Sequence, residues 1–376
     1  MAGIYLHIPF CKQACHYCNF HFSTSRSRQS EMVDMLCREI SLRRDYLSTD
    51  TLETIYLGGG TPSILTSDEL NQLFSTIANN FQVVPGAEVT LEANPDDLTP
   101  EKVRVIRDTP VNRFSIGIQS FFEEDLRFMN RAHRAREAFD CIERVQAAGF
   151  TDLTIDLIYG SPTTSEERWL QNLEYAFALG IPHLSCYCLT VEPKTALDHF
   201  VRQGKVAPVD EVRASRQFEL LLERAQQAGY EQYEISNFAR NQRYARHNTA
   251  YWLGEHYLGV GPAAHSFDGN SRQWNVANNA RYLKAMEQAG DRFPEDLFER
   301  EELTPDMQYN EYVMTRLRTK WGVDARRLTP VFQEFLKREM ARHVKAGYVV
   351  VEDNAYRLTQ AGKLLADRIA ADVFYA

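Results

Sequence analysis

The chain has 376 residues, 44% of them hydrophobic, and a formal net charge of −9. That length holds one large domain and a small one with a substantial core, and the negative balance argues against nucleic acid as the main partner. No run approaches the roughly 18 apolar residues of a membrane span, and residues 1–7 lack the basic start of a signal peptide, so a cytoplasmic protein is expected.

Residues 4–7 read as a short strand. It runs directly into His7-Ile8-Pro9-Phe10-Cys11-Lys12-Gln13-Ala14-Cys15-His16-Tyr17-Cys18, a C-x3-C-x2-C spacing. In a reducing compartment, cysteines crowded in this way indicate metal or catalysis rather than disulfides. Three thiolates on one loop can hold three corners of a cubane 4Fe-4S cluster and leave one iron open. The competing reading is a zinc site with His16 or His21 as fourth ligand, but zinc usually needs a second cysteine arm, and the chain offers none. Cys37, Cys141, Cys186 and Cys188 lie in apolar-periodic surroundings and read as small core residues.

Five more strand-like runs follow, at residues 52–57, 87–92, 113–119, 153–158 and 183–189. Helical spacing fills the gaps, with Gly149, Gly180 and Gly229 at the helix ends. Six strand–helix units predict parallel strands with right-handed crossovers, as a partial barrel or an open α/β sheet. In either case reactive residues belong at the C-terminal ends of the strands. The second strand ends in Gly58-Gly59-Gly60-Thr61-Pro62, where the backbone can approach a ligand closely. The third ends in Leu91-Glu92-Ala93-Asn94-Pro95, and Glu92 is a candidate acceptor for an ammonium or a ribose hydroxyl. Gln119 ends the fourth, followed by Arg131, and Asp156 interrupts the apolar fifth, where a carboxylate is costly unless it is used.

Further along, His247-Asn248-Thr249-Ala250-Tyr251-Trp252 combines an imidazole with two aromatic side chains. Residues 259–266 read as a close-packed turn ending near His265. Composition shifts near residue 290: residues 291–306 are charged and read as a linker, dividing 1–290 from 291–376. The remainder reads as helices and then a hairpin turning at Asp353-Asn354, a small winged-helix-like α+β domain.

The cysteine motif at the head of a six-fold β/α chain resembles the radical S-adenosylmethionine superfamily. That resemblance implies a partial (βα)6 TIM-type barrel, a 4Fe-4S cluster on Cys11, Cys15 and Cys18, and S-adenosylmethionine chelating the open iron. The strand-end runs, together with Leu364-Leu365-Ala366-Asp367-Arg368-Ile369, resemble a narrower family, oxygen-independent coproporphyrinogen III oxidase and its HemW-type relatives. By that likeness Tyr5, Tyr17, Gly59 and Glu92 bind the cluster-bound cofactor. Gly60, Thr61, Gln119, Arg131 and Asp156 match positions that hold a second S-adenosylmethionine in the oxidase.

Two departures separate the chain from the oxidase pattern. Phe20 stands where the oxidase has a further cysteine, and Cys11 is only ten residues from the start. The H-N-x-x-Y-W run is similar to that of the HemW-type group, which is associated with haem delivery. There His247 would ligate haem iron as an exposed imidazole, Tyr251 and Trp252 would wall the porphyrin, and His265 is a second candidate ligand. A hydrogen-bonded structural histidine is the alternative for His247. The resemblance implies a haem chaperone, similar to the oxidase but without its activity, that serves haem-accepting proteins. It also implies a flavodoxin-type electron donor, and a peripheral place at the membrane during delivery. An RNA-modifying member of the superfamily is the remote alternative.

Overall fold

The computed structural model describes residues 2–375. Its centre is one twelve-stranded sheet. The strands are β1 (Ala2–Ile8), β2 (Thr51–Gly59), β3 (Gln82–Ala93), β4 (Arg113–Gln119), β5 (Asp152–Tyr159), β6 (His183–Cys188), β7 (Glu231–Gln232), β8 (Asn237–Ala239), β9 (His256–Val260), β10 (His265–Phe267), β11 (Ser271–Asn275) and β12 (Phe298–Glu302). β1 to β6 lie side by side in chain order, all parallel. The six expected strands are therefore present, in the partial-barrel form.

The sheet also contains a seventh parallel strand. β9 pairs with β1, and β10, β11 and β12 continue from it as an antiparallel ribbon. Residues 259–266 are thus only partly a turn: Gly259 and Val260 end β9, and His265 opens β10. The segment read as a linker also contains structure, because β12 pairs with β11 and belongs to the large sheet. Its Arg/Glu-rich alternation hid it, since an exposed edge strand lacks the apolar period that marks a buried one.

Helices α1 (Gln29–Leu42), α2 (Ser67–Asn80), α3 (Pro100–Arg107), α4 (Glu123–Phe128), α5 (Ala135–Ala147), α6 (Glu166–Ala178), α7 (Ala196–Arg202) and α8 (Glu211–Gln227) fall between the first strands and β7. Local signals fix their ends. Thr66 and Glu69 close a capping box on α2, and Ser165 and Asp210 cap α6 and α8. Gly149, Gly180 and Gly229 follow their helices at positive φ, the conformation that ends a helix cheaply only in glycine. The outward faces of the strands pack Leu6, Leu57, Leu91, Ile116 and Leu157 into the main core beneath these helices.

The inward faces of the same strands are polar. Gly3, Tyr5 and His7 alternate along β1, Thr54, Tyr56 and Gly58 along β2, Glu88, Thr90 and Glu92 along β3, and Arg113, Ser115 and Gly117 along β4. Register places Tyr5 beside Tyr56 and Glu92 beside Ser115. A period of two sends these residues to one face. The lumen is therefore lined by polar side chains and has two distinct ends.

Helix α9 (Arg246–Leu253) closes the N-terminal end of the strands, and α10 (Asn279–Gln288) packs on α1. The C-terminal unit has its own apolar cluster around Val313, Leu336, Met340 and Ile369. It comprises α11 (Pro305–Leu317), β13 (Val323–Asp324), α12 (Pro330–Lys345), β14 (Val349–Glu352), β15 (Ala355–Leu358), α13 (Gln360–Lys363) and α14 (Ala366–Asp372). Helix, strand, helix and hairpin is a winged-helix order, and its sheet runs β13-β15-β14. Asp353 and Asn354 turn the hairpin with both residues at positive φ, as expected.

Candidate functional site

The cysteine loop leaves β1 at the C-terminal end of the barrel. A bridge between Phe10 and Ser23 closes its base, with Cys11 N–H donating to Ser23 O at 3.0 Å. Straps hold it to the end of α4: His16 Nδ1 donates to Phe128 O at 2.9 Å, Gln13 Nε2 donates to Asn130 Oδ1 at 2.9 Å, and Asn130 Nδ2 donates to Ala14 O at 2.8 Å. All three thiols are partly exposed at the mouth. Thr61 Oγ1 donates to Cys11 Sγ and Arg131 Nη1 to Cys15 Sγ, each at 3.3 Å. Burial and the neighbouring Cys18 and Cys15 sulfurs push the Cys11 thiol up to about 11, and Thr61 opposes them. Bringing thiols together in this way calls for a cation or a cluster to neutralise them. Among the described residues, no three His, Cys, Asp or Glu side chains converge tightly enough for a single metal ion.

The glycine turn lies beside this loop. Gly60 N–H donates to Ile8 O and Thr61 N–H to Phe10 O, and a Cβ on Gly60 would sit 2.5 Å from Ile8 O. Glu92 is held from two sides. Tyr56 OH donates to Oε1 at 2.7 Å, and Gly59 N–H donates to Oε2 at 3.1 Å. Burial raises its pKa against those two donors. Arg131 Nη2 donates to Asn94 Oδ1 and to Gly117 O, both at 2.7 Å, while its buried Nε has no partner. Asp156 has its pKa pushed up to about 7, first by burial and then by Glu92, with Arg131 opposing. Tyr17 faces Arg131, Cys15 and Asp156. Gln119 ends β4 at φ 66° beside Gly117, near the Arg131 guanidinium. Tyr5 OH donates to His7 Nδ1 at 3.1 Å, and His7 Nε2 donates to His21 O at 2.8 Å. All nine residues expected to hold cofactor, and the three cysteines, therefore gather at one end of the lumen. An unsatisfied guanidinium N–H and a doubly held carboxylate there suit a zwitterionic, hydroxyl-bearing cofactor.

The H-N-x-x-Y-W helix occupies the opposite end. Glu88, at the middle of β3, accepts Arg246 N–H at 2.8 Å and His247 N–H at 2.9 Å, so a neighbouring strand caps α9. The exposed-ligand expectation for His247 is corrected. Its ring is 2% exposed, with Nδ1 on Thr54 Oγ1 at 2.8 Å and Nε2 on Tyr251 OH at 2.7 Å. It stacks on Tyr56 with ring centres 5.0 Å apart, and burial pushes its pKa down to about 3. Both nitrogens are occupied, so here His247 positions Tyr251 and α9 and offers no lone pair to iron. Trp252 is half-buried, with the Arg318 guanidinium 5.5 Å from its ring centre. His265 lies elsewhere, exposed on β10 and stacked on Trp274 at 6.2 Å.

Over nearly its full length the chain is similar to the Heme chaperone HemW of Mycobacterium tuberculosis, 35% identical across 98% of this chain and 93% of that protein. The chain belongs to the HemW family. The HemW of Bacillus subtilis is 31% identical over 98% of both chains. Residues 5–176 match the Radical SAM superfamily, and residues 303–365 match the HemN C-terminal domain. Coproporphyrinogen III oxidase (HemN) from Escherichia coli has the same fold, with a TM-score of 0.85 at 24% identity, covering 99% of this chain and 90% of that one. The superfamily implies a 4Fe-4S cluster and S-adenosylmethionine, and the cysteine loop, glycine turn and Arg131–Glu92 cradle of this HemW-family chain fit both.

Sequence reasoning missed Tyr56, Asn94, Thr54 and Glu88 as parts of these two ends. The signal was present for three of them. Thr54, Tyr56 and Glu88 interrupt apolar strands at every second position, which marks a polar inward face. Asn94 lies just past a strand end, where nothing local reveals that Arg131 will reach it.

Proposed function

We propose that this chain binds haem and hands it to haem-requiring apoproteins. A 4Fe-4S cluster on Cys11, Cys15 and Cys18 and S-adenosylmethionine occupy the far end of its barrel. The observation that carries this reading is the full-length similarity to proteins named Heme chaperone HemW, which extends through the H-N-x-x-Y-W helix and the C-terminal domain. Tyr5, Tyr17, Gly59 and Glu92 receive the cluster-bound cofactor, with Glu92 accepting its ammonium. Gly60, Thr61, Gln119, Arg131 and Asp156 form the adjoining pocket, in which Asp156 near neutrality can hold or release a proton. The chemistry available when both groups are bound is one-electron reductive cleavage of the sulfonium. A flavodoxin-type donor would supply the electron at the cysteine-loop mouth. Phe20, 68% exposed beside the cluster loop, offers an apolar contact there where the oxidase pattern has a cysteine. No helix among the described residues is long and apolar enough to cross a membrane.

The second reading is coproporphyrinogen III oxidation, favoured by the shared fold. One sample decides between them: anaerobically reconstituted protein, titrated with haemin and assayed for coproporphyrinogen III decarboxylation. A Soret shift without turnover is the expected result. Robust turnover without haem binding would place the chain with the oxidase.

A further inference from the structure

A cavity of about 390 Å³ opens between α9, the β9–β11 ribbon and α11 of the C-terminal domain, well away from the cysteine loop. Its volume is in the range of small-molecule sites. Trp252, Tyr257, Phe267 and Tyr312 supply aromatic surface from both domains. Two guanidinium groups line the same space, in different states. Arg272 is already neutralised by an ion pair with Glu311, and its guanidinium carbon lies 5.1 Å from the Phe267 ring centre.

Arg316 is different. It is only 8% exposed, its Nη2 donates to Leu253 O at 3.2 Å, and its Nε has no hydrogen-bond partner. A buried guanidinium with an unused N–H is costly unless something answers it. Burial lowers its pKa, with Tyr312 and the Glu255 and Asp324 carboxylates offsetting only part of that penalty. An aromatic-walled space with one under-satisfied cation matches a flat, apolar ring that carries carboxylates.

We propose that this cavity seats the porphyrin plane of haem, with Arg316 of the C-terminal domain pairing a propionate carboxylate. The inference rests on the haem-binding reading and adds to it a place, a second domain and a specific anion contact. It makes the C-terminal domain part of the cargo site, and it puts cargo at the opposite end of the lumen from the cluster.

The test uses the full-length, cluster-reconstituted protein, titrated with haemin and with haemin dimethyl ester. Wild type should bind haemin about tenfold or more tighter than the ester, the scale of a charge-assisted carboxylate contact. Arg316→Gln should weaken haemin to the level of the ester and lose the discrimination, while Arg316→Lys recovers part of it. Iron content and far-ultraviolet circular dichroism establish that the variants are folded. If Arg316→Gln fails that control, the wild-type comparison of haemin with its ester decides alone. Wild type that binds haemin but does not distinguish the ester, or a folded Arg316→Gln that binds haemin like wild type, overturns this site and leaves the haem reading standing. Wild type that binds no haemin overturns both.

Discussion

The two ends of the lumen are lined by the same strands and yet differ in kind. At the C-terminal end, Glu92, Arg131, Asp156 and the three thiols form a set of charges and near-charges with spare capacity, including the unpaired Arg131 Nε. At the N-terminal end, Glu88, Thr54, His247 and Tyr251 are mutually satisfied, and Arg113, Thr154, His183 and Tyr233 extend the network through bonds of 2.5, 3.0 and 2.7 Å. Satisfied buried networks rigidify, whereas unsatisfied ones await a ligand. Inside the lumen, the mouth is built to receive a ligand and the network beneath α9 to hold that helix in place. A chain of ring contacts, stacked in the middle and edge-to-face at both ends, joins them: Tyr251, His247, Tyr56, Tyr5 and His7, each 4.8 to 6.0 Å from the next.

The sharpest way to break the contrast is to remove the thiols. Replacing Cys11, Cys15 and Cys18 together by Ala should reduce iron after anaerobic reconstitution from about four per chain to none. Cys37→Ala and Cys141→Ala, by contrast, should leave it unchanged. Full iron loading of the triple variant would remove the cluster from this end.

Glu92→Ala comes next in size. It should weaken S-adenosylmethionine binding by about ten- to a hundredfold, the range for losing a charged acceptor, with iron content intact. Isothermal titration on the reconstituted protein measures this, and unchanged affinity would free Glu92 from the cofactor.

At the opposite end, His247→Ala should cost about 2–3 kcal/mol in denaturant unfolding, because it leaves Thr54 and Tyr251 unpartnered in a buried space. Iron content should persist, and the Soret maximum of bound haem should stay where wild type has it. A displaced maximum in the folded variant would show that the imidazole reaches iron after rearrangement.

The smallest effect is a pH slope. Asp156 titrates near 7 in the folded chain and near 4 when unfolded. Between those values the folded state holds a proton that the unfolded state has lost, so stability of the cofactor-free protein should fall as pH rises from about 4 to 7. Asp156→Asn should flatten that slope in thermal unfolding across the same window, and an identical slope in both proteins would place the titration elsewhere.

Much of this was legible in residue order. C-x3-C-x2-C after a strand, a glycine turn after the next, and Glu92, Gln119 and Asp156 on three more strands follow from the rule that parallel strands present their C-terminal ends together. Strand β9 and edge strand β12 were not legible. The first is short and runs into a turn, and the second lacks the apolar period of a buried strand.

By itself the sequence determined the six parallel strands, the cysteine loop and the collection of candidate cofactor residues at the strands' C-terminal ends. Each depends on local pattern and on the fixed direction of βα crossovers. Only the tertiary structure decided the fate of His247. An imidazole followed by two aromatics looks the same in sequence whether it faces solvent or a strand. Thr54, Tyr251 and Glu88 approach it across 193, 4 and 159 residues of chain respectively. Thr54 and Tyr251 filled the two ring nitrogens, Glu88 took the backbone N–H, and an expected ligand became a strut. The same folding brought Arg316 of the C-terminal domain to a cavity beside Trp252, a meeting that no spacing along the chain could announce.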